Sequence, residues 1–221
     1  MCSERELTKE NRRGKVTVVS GFSGAGKGTL MEGLQKNYPG RYALSVSVTT
    51  RKPREGEVDG ISYHFKTQEE FDRLIEENYF IEYARYVDNS YGTPGPFVEQ
   101  NLEAGRDVIL EIELQGALIA REKYPDAKLI FVTAKDADTL IDRLTGRGTE
   151  TEEKIRKRLL RAVDEADGIE NYDYILINGD LQESIGRLHE VIQSEDKTRP
   201  SQEDYAVIRN IQSELKRRLS I

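Results

Sequence analysis

Cysteine, tryptophan and long apolar runs are scarce or absent in this chain. Its 221 residues include one cysteine, Cys2, and no tryptophan. A single cysteine excludes a disulfide framework within the chain, which is compatible with a reducing compartment. No apolar run approaches the roughly 20 residues that cross a membrane, and residues 1–14 lack the apolar core of a secretory signal. We therefore expect a cytoplasmic protein without a membrane partner.

Histidine and excess positive charge are also scarce. His64 and His189 have no neighbouring pattern typical of catalysis or metal binding, so we expect both to be structural or exposed. The net charge of -7 does not favour bulk attraction to nucleic acid, and we expect no nucleic-acid partner. A local basic cluster can still bind phosphate. The length suits one large α/β domain or two small ones.

The chain does contain a strand pattern followed by a glycine-rich turn and a lysine. Val16–Ser20 is rich in β-branched residues and predicts a strand, and Leu30–Asn37 predicts a helix. The glycines between them let the backbone approach a ligand closely with its N–H groups pointing inward. The residues that we expect to cradle phosphates are Gly21, Phe22, Ser23, Gly24, Ala25, Gly26, Lys27, Gly28 and Thr29.

Lys27 is expected to reach the terminal phosphates of a nucleoside triphosphate, beside the positive end of the following helix. The spacing fits the motif G-x-x-x-x-G-K, but Gly28 stands where the full motif has serine or threonine. Thr29 follows one position later, and we expect its hydroxyl, directly or through water, to help bind Mg²⁺ at the triphosphate. The plainer alternative is a glycine-rich turn beside a solvated lysine.

Strand and helix patterns alternate along most of the chain. Apolar, branched runs typical of buried parallel strands are Asp107–Ile112, Leu129–Thr133 and Tyr174–Asn178. Helical patterns are Pro96–Ala104, Leu114–Lys123, Ala137–Leu144, Thr151–Ala166 and Leu181–Ile192. This order predicts an α/β fold with a parallel sheet and helices on both faces. Ser45–Thr93 breaks the pattern and predicts a small mixed insertion.

The insertion carries several motifs with a defined order and spacing. They are Ser47-Val-Thr-Thr-Arg51-Lys-Pro-Arg54, Phe80-Ile-Glu82-Tyr83-Ala and Asn89-Ser-Tyr91-Gly-Thr93. Together with the glycine loop, they make the chain resemble a guanylate kinase of the bacterial type from about Lys15 to Ile192. The resemblance implies transfer of the γ-phosphoryl group of ATP to GMP, giving ADP and GDP, in purine nucleotide metabolism and GMP recycling.

The resemblance also implies a division of the chain. A guanylate kinase-like domain covers residues 15–193, with a P-loop core at 15–44, 95–136 and 162–193. A small GMP-binding region covers 45–94, and a mobile helical lid covers 137–161. Residues 194–221 form a C-terminal helical extension, in which Ser201 is a candidate N-cap. Its apolar residues at helical spacing either pack back on the domain or form a contact between copies of the chain; they are Ile208, Ile211, Leu215 and Leu219.

Two arginines and two tyrosines are candidates for binding a monophosphate. Arg51 and Arg54 can offer forked, charge-assisted hydrogen bonds to a dianionic phosphate, and Tyr63 and Tyr91 can add phenolic donors. The resemblance implies that these four side chains hold the phosphate of GMP. Taken without the motif, they would be a solvated basic loop with packed tyrosines.

Glu82 is the candidate for recognising the base. An ionised carboxylate can accept hydrogen bonds from N1–H and N2–H₂ of guanine, and adenine lacks this donor pair. The resemblance implies this role for Glu82, with the hydroxyls of Ser47 and Thr93 also against the base. The family more often has serine at the position of Thr93. Taken alone, Glu82 would be a surface carboxylate.

Two acidic residues lie at the end of the second core strand. Carboxylates at the C-terminal end of a parallel strand face the ligand crevice of such folds. The resemblance implies that Glu113, where the family usually has aspartate, helps to bind GMP. It implies that Glu111 lies near a water of the magnesium ion. The alternative for both is solvation at the end of the strand.

The resemblance implies that arginines of the lid stabilise the negative charge of the transition state. Arg143, Arg147 and Arg158 are expected to clamp the phosphates as the lid closes, opposite Lys27, and no protein nucleophile is needed. Asn178 is expected to contact adenine. Asp180 follows Asn178 by two positions and could instead be the N-cap of the next helix. The other basic residues of this region are expected to form a solvated helix face; they are Lys154, Arg156, Lys157 and Arg161.

Two other functions stay open. One keeps the phosphoryl-transfer core with another acceptor, such as a ribose bisphosphate; Ser47, Glu82 and Thr93 argue against it because they fit a guanine edge. The other is a guanylate kinase-like protein-binding module of the type found in membrane scaffolds. Such modules tend to lose the phosphate cradle, which this chain retains. The expected partners are therefore ATP and GMP.

Overall fold

A computed structural model describes residues 12–54, 56–86, 88–146, 152–196 and 199–221. The fold divides into two compact units. The first unit consists of Met1–Thr17, Gly40–Glu111 and Gln115–Ala127, and the second of Val18–Pro39, Ile112–Leu114 and Lys128–Ile221. The chain therefore enters each unit more than once.

The strands of the described residues form two sheets. They are β1 Val16–Gly21, β2 Tyr42–Leu44, β3 Val48–Thr49, β4 His64–Phe65, β5 Phe80–Tyr86, β6 Asn89–Pro94, β7 Asp107–Leu110, β8 Lys128–Thr133 and β9 Tyr174–Ile177. The five-stranded sheet has the order β2-β7-β1-β8-β9, and β2 with β7 and β8 with β9 pair in parallel. The four-stranded sheet has the order β4-β3-β6-β5 and is mixed, because β3 is parallel to β4 but antiparallel to β6.

The helices follow the strands in the predicted alternation. They are α1 Lys27–Asn37, α2 Gln68–Glu76, α3 Gly95–Glu103, α4 Leu114–Lys123, α5 Ala137–Thr145, α6 Glu152–Glu165, α7 Leu181–Gln193 and α8 Gln202–Leu219, with a 3₁₀ turn at Ile169–Asn171. The predicted α/β class with a parallel sheet and a small mixed insertion is confirmed. None of the helices in the described part of the chain is both long and apolar enough to span a membrane.

The core strands form where the sequence is continuously apolar and branched. Every residue of β1 and of β7 is buried, as is β8 from Leu129 to Thr133. Two ends differ from the prediction. β7 stops at Leu110, so Glu111 and Ile112 lie beyond the strand, and β9 stops at Ile177, one residue before Asn178. Polar side chains therefore begin directly where these strands end.

The first helix starts earlier than its apolar pattern indicates. α1 begins at Lys27, three residues before the predicted start at Leu30, and Gly26 precedes it with a φ of 87°. Its first three residues, Lys27 to Thr29, include Gly28 and no buried residue, so apolar periodicity does not mark them. This places the lysine of the glycine loop in the first turn of the helix.

The C-terminal helix α8 belongs to the second unit and packs against α6 and α5. Ser201 caps it: Ser201 Oγ accepts from the Asp204 N–H, and the Asp204 carboxylate accepts from the Ser201 N–H. The predicted apolar residues are all buried; they are Ile208, Ile211, Leu215 and Leu219. Of the two alternatives, packing of α8 back on its own domain is the one that the structure supports, and these four side chains are not available for a contact between copies.

Candidate active site

The glycine loop joins β1 to α1 in the second unit. Gly21 has a φ of 141°, and a Cβ there would lie 2.0 Å from the carbonyl oxygen of Val132. Gly26 has a φ of 87°, and a Cβ there would lie 2.7 Å from Asn178 Nδ2. A side chain at either position would combine a strained backbone with a steric overlap. Glycine is therefore required here by the packing of the loop.

Lys27 folds back along the loop. Its Nζ donates to the carbonyl oxygen of Gly21 at 2.7 Å and to that of Phe22 at 3.2 Å. The first turn of α1 contains no acidic residue. The helix N-terminus and the ammonium group thus both favour an anion at this place. The alternative of a turn beside a solvated lysine is wrong, because the ammonium group is bonded to the loop.

Gly28 and Thr29 follow in the first turn of α1, and both are exposed. A Cβ on Gly28 would meet nothing within 4 Å. Thr29 brings a hydroxyl oxygen, a ligand type that Mg²⁺ accepts, to the first turn of the helix. Among the described residues there is no group of three histidine, cysteine or acidic side chains that fits a metal ion. An ion held mainly by phosphates and water needs no such group, so the residues present fit Mg²⁺ bound together with a nucleotide.

Arg143 and Asn178 meet the loop at Ala25. Arg143 donates from Nη1 to the Ala25 carbonyl oxygen at 3.2 Å and from Nη2 to the Asn178 carbonyl oxygen at 2.9 Å. Asn178 is 5% exposed and donates from Nδ2 to the same Ala25 oxygen at 2.7 Å. The structure thus brings Arg143 and Asn178 to the glycine loop. Asp180 caps α7 by accepting from the N–H groups of Gln182 and Glu183, as predicted.

Ser23 is held by two residues of α6. Arg158 Nε donates to Ser23 Oγ at 3.0 Å, and Glu165 Oε2 accepts from the Ser23 N–H at 2.7 Å. The sequence analysis missed Glu165, although it lies seven positions after Arg158 and therefore on the same helix face. Burial raises the pKa of Glu165, whereas Lys27, the Ser23 N–H and Arg161 act in the opposite direction. Arg147 lies outside the described residues.

Arg161 is not part of a solvated face, so that expectation is wrong for it. Arg161 Nε donates to Glu165 Oε1 at 3.0 Å, and the guanidinium also forms an ion pair with Glu113. The charge pattern of α6 alone does not reveal this partner, because Glu113 lies in a distant segment of the chain after β7. Glu113 is half exposed and has Arg161 as its ion-pair partner.

The neighbouring basic residues of α6 agree better with the expectation of a solvated face. Lys157 is 72% exposed and pairs with Glu153 one turn earlier. Arg156 is also exposed, and its Nη2 donates to the carbonyl oxygen of Leu219 in α8. The side chain of Lys154 is outside the described part of the chain. The solvated face of α6 therefore contains fewer basic residues than the sequence predicted.

In the first unit, Glu82 and Thr93 form a buried pair on the neighbouring strands β5 and β6. Thr93 Oγ1 donates to Glu82 Oε1 at 2.5 Å. Thr93 is fully buried and Glu82 is 6% exposed, so the alternative of a surface carboxylate is wrong. Burial raises the pKa of Glu82, and the bond from Thr93 partly opposes this. Ser47 is half-buried just before β3, and its carbonyl oxygen accepts from the His64 N–H.

Arg51 is paired within its own loop. Its Nη1 and Nη2 donate to the two carboxylate oxygens of Glu57 at 2.9 and 2.8 Å, and its side chain is 14% exposed. The backbone N–H of Arg54 donates to the same carboxylate at 2.7 Å, whereas the residue itself is exposed. The alternative of a solvated basic loop is therefore wrong for Arg51. Glu57 was missed, and the pairing lowers its pKa.

The two candidate tyrosines lie beside this arginine. The Arg51 guanidinium carbon is 5.2 Å from the centre of the Tyr63 ring, and the rings of Tyr63 and Tyr91 are 6.1 Å apart at 67°. Burial raises the pKa of Tyr63, with a smaller effect from the charge of Glu111. The phenol is protonated at neutral pH and can donate a hydrogen bond. The structure thus brings Arg51, Tyr63 and Tyr91 together.

The geometry of the second unit defines a class of protein. A strand that runs through a glycine loop into a helix, with a lysine at its first position, is the phosphate-binding arrangement of P-loop nucleotide-binding proteins. The guanylate kinase family model matches residues 13–195. The chain belongs to the guanylate kinase family, as its motifs predicted.

Two relatives show how far the similarity extends. A guanylate kinase from Latilactobacillus sakei subsp. sakei (strain 23K) is 46% identical over 185 residues, which covers 84% of this chain and 91% of the relative. The crystal structure of a guanylate kinase from Anaplasma phagocytophilum matches with a TM-score of 0.67 at 28% identity, covering 97% of this chain and 100% of that one. Both comparisons span nearly the whole fold.

Proposed function

We propose that this protein reversibly transfers the γ-phosphoryl group of ATP to GMP, giving ADP and GDP. The observation that carries the proposal is the buried carboxylate of Glu82 beside the hydroxyl of Thr93, in a chain that also has the glycine loop and Lys27. Membership of the guanylate kinase family supports both substrates. The reaction belongs to purine nucleotide metabolism and recycles GMP in the cytoplasm.

Glu82 selects guanine in this proposal. Its carboxylate accepts from N1–H and N2–H₂ of the base, while the hydroxyls of Ser47 and Thr93 contact the same base. Adenine brings no such donor pair and would leave a buried, desolvated carboxylate without a new partner. The burial of Glu82 supports this role, because a carboxylate removed from water gains more from two matched donors than an exposed one.

The phosphate of GMP is bound by Arg51, Arg54, Tyr63 and Tyr91. Arg51 is already oriented by Glu57 and by the ring of Tyr63, so its guanidinium loses little conformational freedom on binding. The exposed side chain of Arg54 can turn towards the anion. Glu113 adds a further contact to GMP.

ATP binds at the glycine loop, through Gly21, Phe22, Ser23, Gly24, Ala25, Gly26, Lys27, Gly28 and Thr29. Lys27 exchanges carbonyl oxygens of the loop for the terminal phosphates, and Asn178 contacts the adenine. Mg²⁺ would be held by the phosphates, water and the hydroxyl of Thr29, and when bound it neutralises charge between the phosphates. The exposed position of Thr29 supports this assignment.

Catalysis is electrostatic and needs no protein nucleophile. Negative charge spreads over the transferred phosphoryl group, and fixed cations stabilise it in the transition state. Lys27, Arg51, Arg143, Arg147 and Arg158 supply these cations. Closure of the lid, residues 137–161, brings its arginines to the phosphates and excludes water that would otherwise hydrolyse ATP.

The first experiment is a coupled assay of ADP formation from Mg·ATP with GMP, AMP, CMP and UMP as separate acceptors. We expect turnover with GMP and a kcat/KM for AMP lower by at least ~10³-fold. Equal turnover with several monophosphates would contradict the role of Glu82. Absence of turnover with all four in folded protein would favour another acceptor, such as a ribose bisphosphate, or a protein-binding module.

The second experiment isolates the base contact. Glu82→Gln keeps the size of the side chain but replaces one acceptor oxygen by a donor that opposes the guanine donors. We expect kcat/KM for GMP to fall by at least ~10²-fold, with the KM for ATP unchanged. Glu76→Gln, an exposed substitution in α2 of the same unit, is the matched control. Unchanged GMP kinetics in the Glu82 variant would exclude the assignment.

A further inference from the structure

Glu165 is a carboxylate that no step of the proposed reaction uses. It is the last residue of α6, and its side chain is 16% exposed. A carboxylate withdrawn from water destabilises a protein unless hydrogen bonds or ion pairs offset the lost hydration. Its partners therefore indicate what it contributes.

The partners of Glu165 lead to the glycine loop. Its Oε2 accepts from the backbone N–H of Ser23 at 2.7 Å, and its Oε1 accepts from Arg161 Nε at 3.0 Å. The charge of Lys27 also acts on this carboxylate. Ser23 is the third residue of the loop that begins at Gly21. The bond requires first an acceptor oxygen at this position, and the charge of the carboxylate strengthens it further.

Ser23 is held from the same helix at a second atom. Arg158 Nε donates to Ser23 Oγ at 3.0 Å. Arg158, Arg161 and Glu165 are spaced by three and four residues and so lie on one face of α6. The helix thus fixes both the amide and the hydroxyl of one loop residue.

The loop depends on such a constraint because of its composition. Gly24 and Gly26 have φ values of 90° and 87°, and glycine reaches positive and negative φ with similar ease. A loop released at Ser23 would sample other conformations. Binding a nucleotide would then have to order it, which weakens the affinity.

We propose that Glu165 is a positioning residue for ATP: its carboxylate holds the Ser23 amide and so fixes the glycine loop in the conformation that receives the phosphates. This inference rests on the proposed binding of ATP at the loop. In this proposal Glu165 itself touches neither substrate.

The test uses the full chain and measures binding of Mg·ADP and of GMP separately by calorimetry. Glu165→Gln keeps an acceptor oxygen at the same distance, whereas Glu165→Asp keeps the charge but withdraws it by one methylene. We expect Glu165→Asp and Glu165→Ala to weaken Mg·ADP binding by at least ~10-fold and Glu165→Gln by no more than ~3-fold. GMP binding should change much less than Mg·ADP binding in all three variants. Its proposed residues lie in the first unit except Glu113, which is linked to Glu165 only through Arg161.

Asp164→Ala is the matched control, since Asp164 is the exposed neighbour on α6. The inference would be overturned if the wild type and all Glu165 variants bound Mg·ADP with equal affinity. It would also be overturned if Glu165→Asp bound Mg·ADP more tightly than Glu165→Gln. Parallel loss of ADP and GMP binding would overturn it too, because it indicates a general loss of structure. If Glu165→Ala does not fold, the relative Mg·ADP affinities of Glu165→Gln and Glu165→Asp test the inference. A wild-type protein that binds no Mg·ADP would overturn the proposed function itself.

Discussion

Thr93 Oγ1 lies 2.5 Å from Glu82 Oε1, and the two residues are 0% and 6% exposed. The carboxylate therefore accepts from the hydroxyl and the backbone N–H of Thr93 and is exposed to little water. A charged group in this position is costly until a ligand supplies further donors. Glu82 lies where the register of β5 and β6 is irregular, between Phe80 and Tyr83, and the bond from Thr93 holds its carboxylate there.

The burial of Glu82 should make the free energy of unfolding depend on pH. Because burial raises the pKa of Glu82 above 4.5, the folded state binds the proton more tightly than the unfolded state. The contribution of this group to the free energy of unfolding is then fully present below the unfolded pKa and is lost as the pH rises through the folded pKa. Glu82→Gln, whose amide can still accept from Thr93, should be more stable than the wild type near neutral pH.

Urea unfolding at several pH values between about 4.5 and 8 checks this expectation. The advantage of the glutamine variant should shrink as the pH falls. A difference between the two proteins that stays constant over this range would show that Glu82 does not titrate with a raised pKa.

Arg51→Lys tests whether the arginine fork binds the phosphate of GMP. Lysine keeps the charge but cannot form two parallel hydrogen bonds or stack on Tyr63 in the same way. Calorimetry should show GMP binding weakened by at least ~10-fold and guanosine binding unchanged. Arg85→Lys, at an arginine 71% exposed in the same unit, serves as the control. Equal weakening for GMP and guanosine would indicate a structural effect instead.

Two glycines of the loop should respond to alanine with opposite signs. Gly26→Ala imposes a side chain at a φ of 87° and 2.7 Å from Asn178 Nδ2, so we expect destabilisation by ~1–3 kcal/mol. Gly28→Ala meets nothing within 4 Å inside α1 and should stabilise by up to ~1 kcal/mol. Urea unfolding of both variants measures the difference, and effects of the same sign would contradict the described loop.

Ile211→Ala tests the packing of α8. Ile211 is 2% exposed, and its truncation should lower the free energy of unfolding by ~2–5 kcal/mol. Ser201→Ala removes the capping box and should cost ~1 kcal/mol. Arg209→Ala, exposed on the same helix, should change stability by no more than ~0.5 kcal/mol. If Ile211→Ala behaves like Arg209→Ala in urea unfolding, α8 does not form part of the core.

Elements with strong local signals could be predicted from the sequence. The branched run of β1 and the matching pattern of α4 correspond to the observed elements almost residue for residue. The cap at Ser201 was predictable because its partner lies three positions away. Such features depend on neighbours in the chain, which the sequence displays directly.

The contacts between distant residues of the candidate site could not be predicted in this way. Arg161 forms an ion pair with Glu113, and the Ser23 N–H donates to Glu165, which lies 142 positions away. These partners are adjacent only in the folded structure. Glu57 is a closer case: it lies six residues after Arg51 in a tight loop, and the opposite charges could have indicated the pair. The roles of Arg143 and Asn178 at Ala25 likewise depend on chain segments far apart.

The bond from Asn178 to Ala25 has a consequence for how the chain folds. It joins residues 153 positions apart, and the bond from Arg143 to Ala25 joins residues 118 apart. Contacts of such long range must overcome a large loop-closure entropy and are slow to form. The glycine loop acquires its final shape only after β9 and α5 are in place. A refolding chain should therefore regain its helical signal before its affinity for nucleotide, and bound ADP would mark molecules that have completed folding.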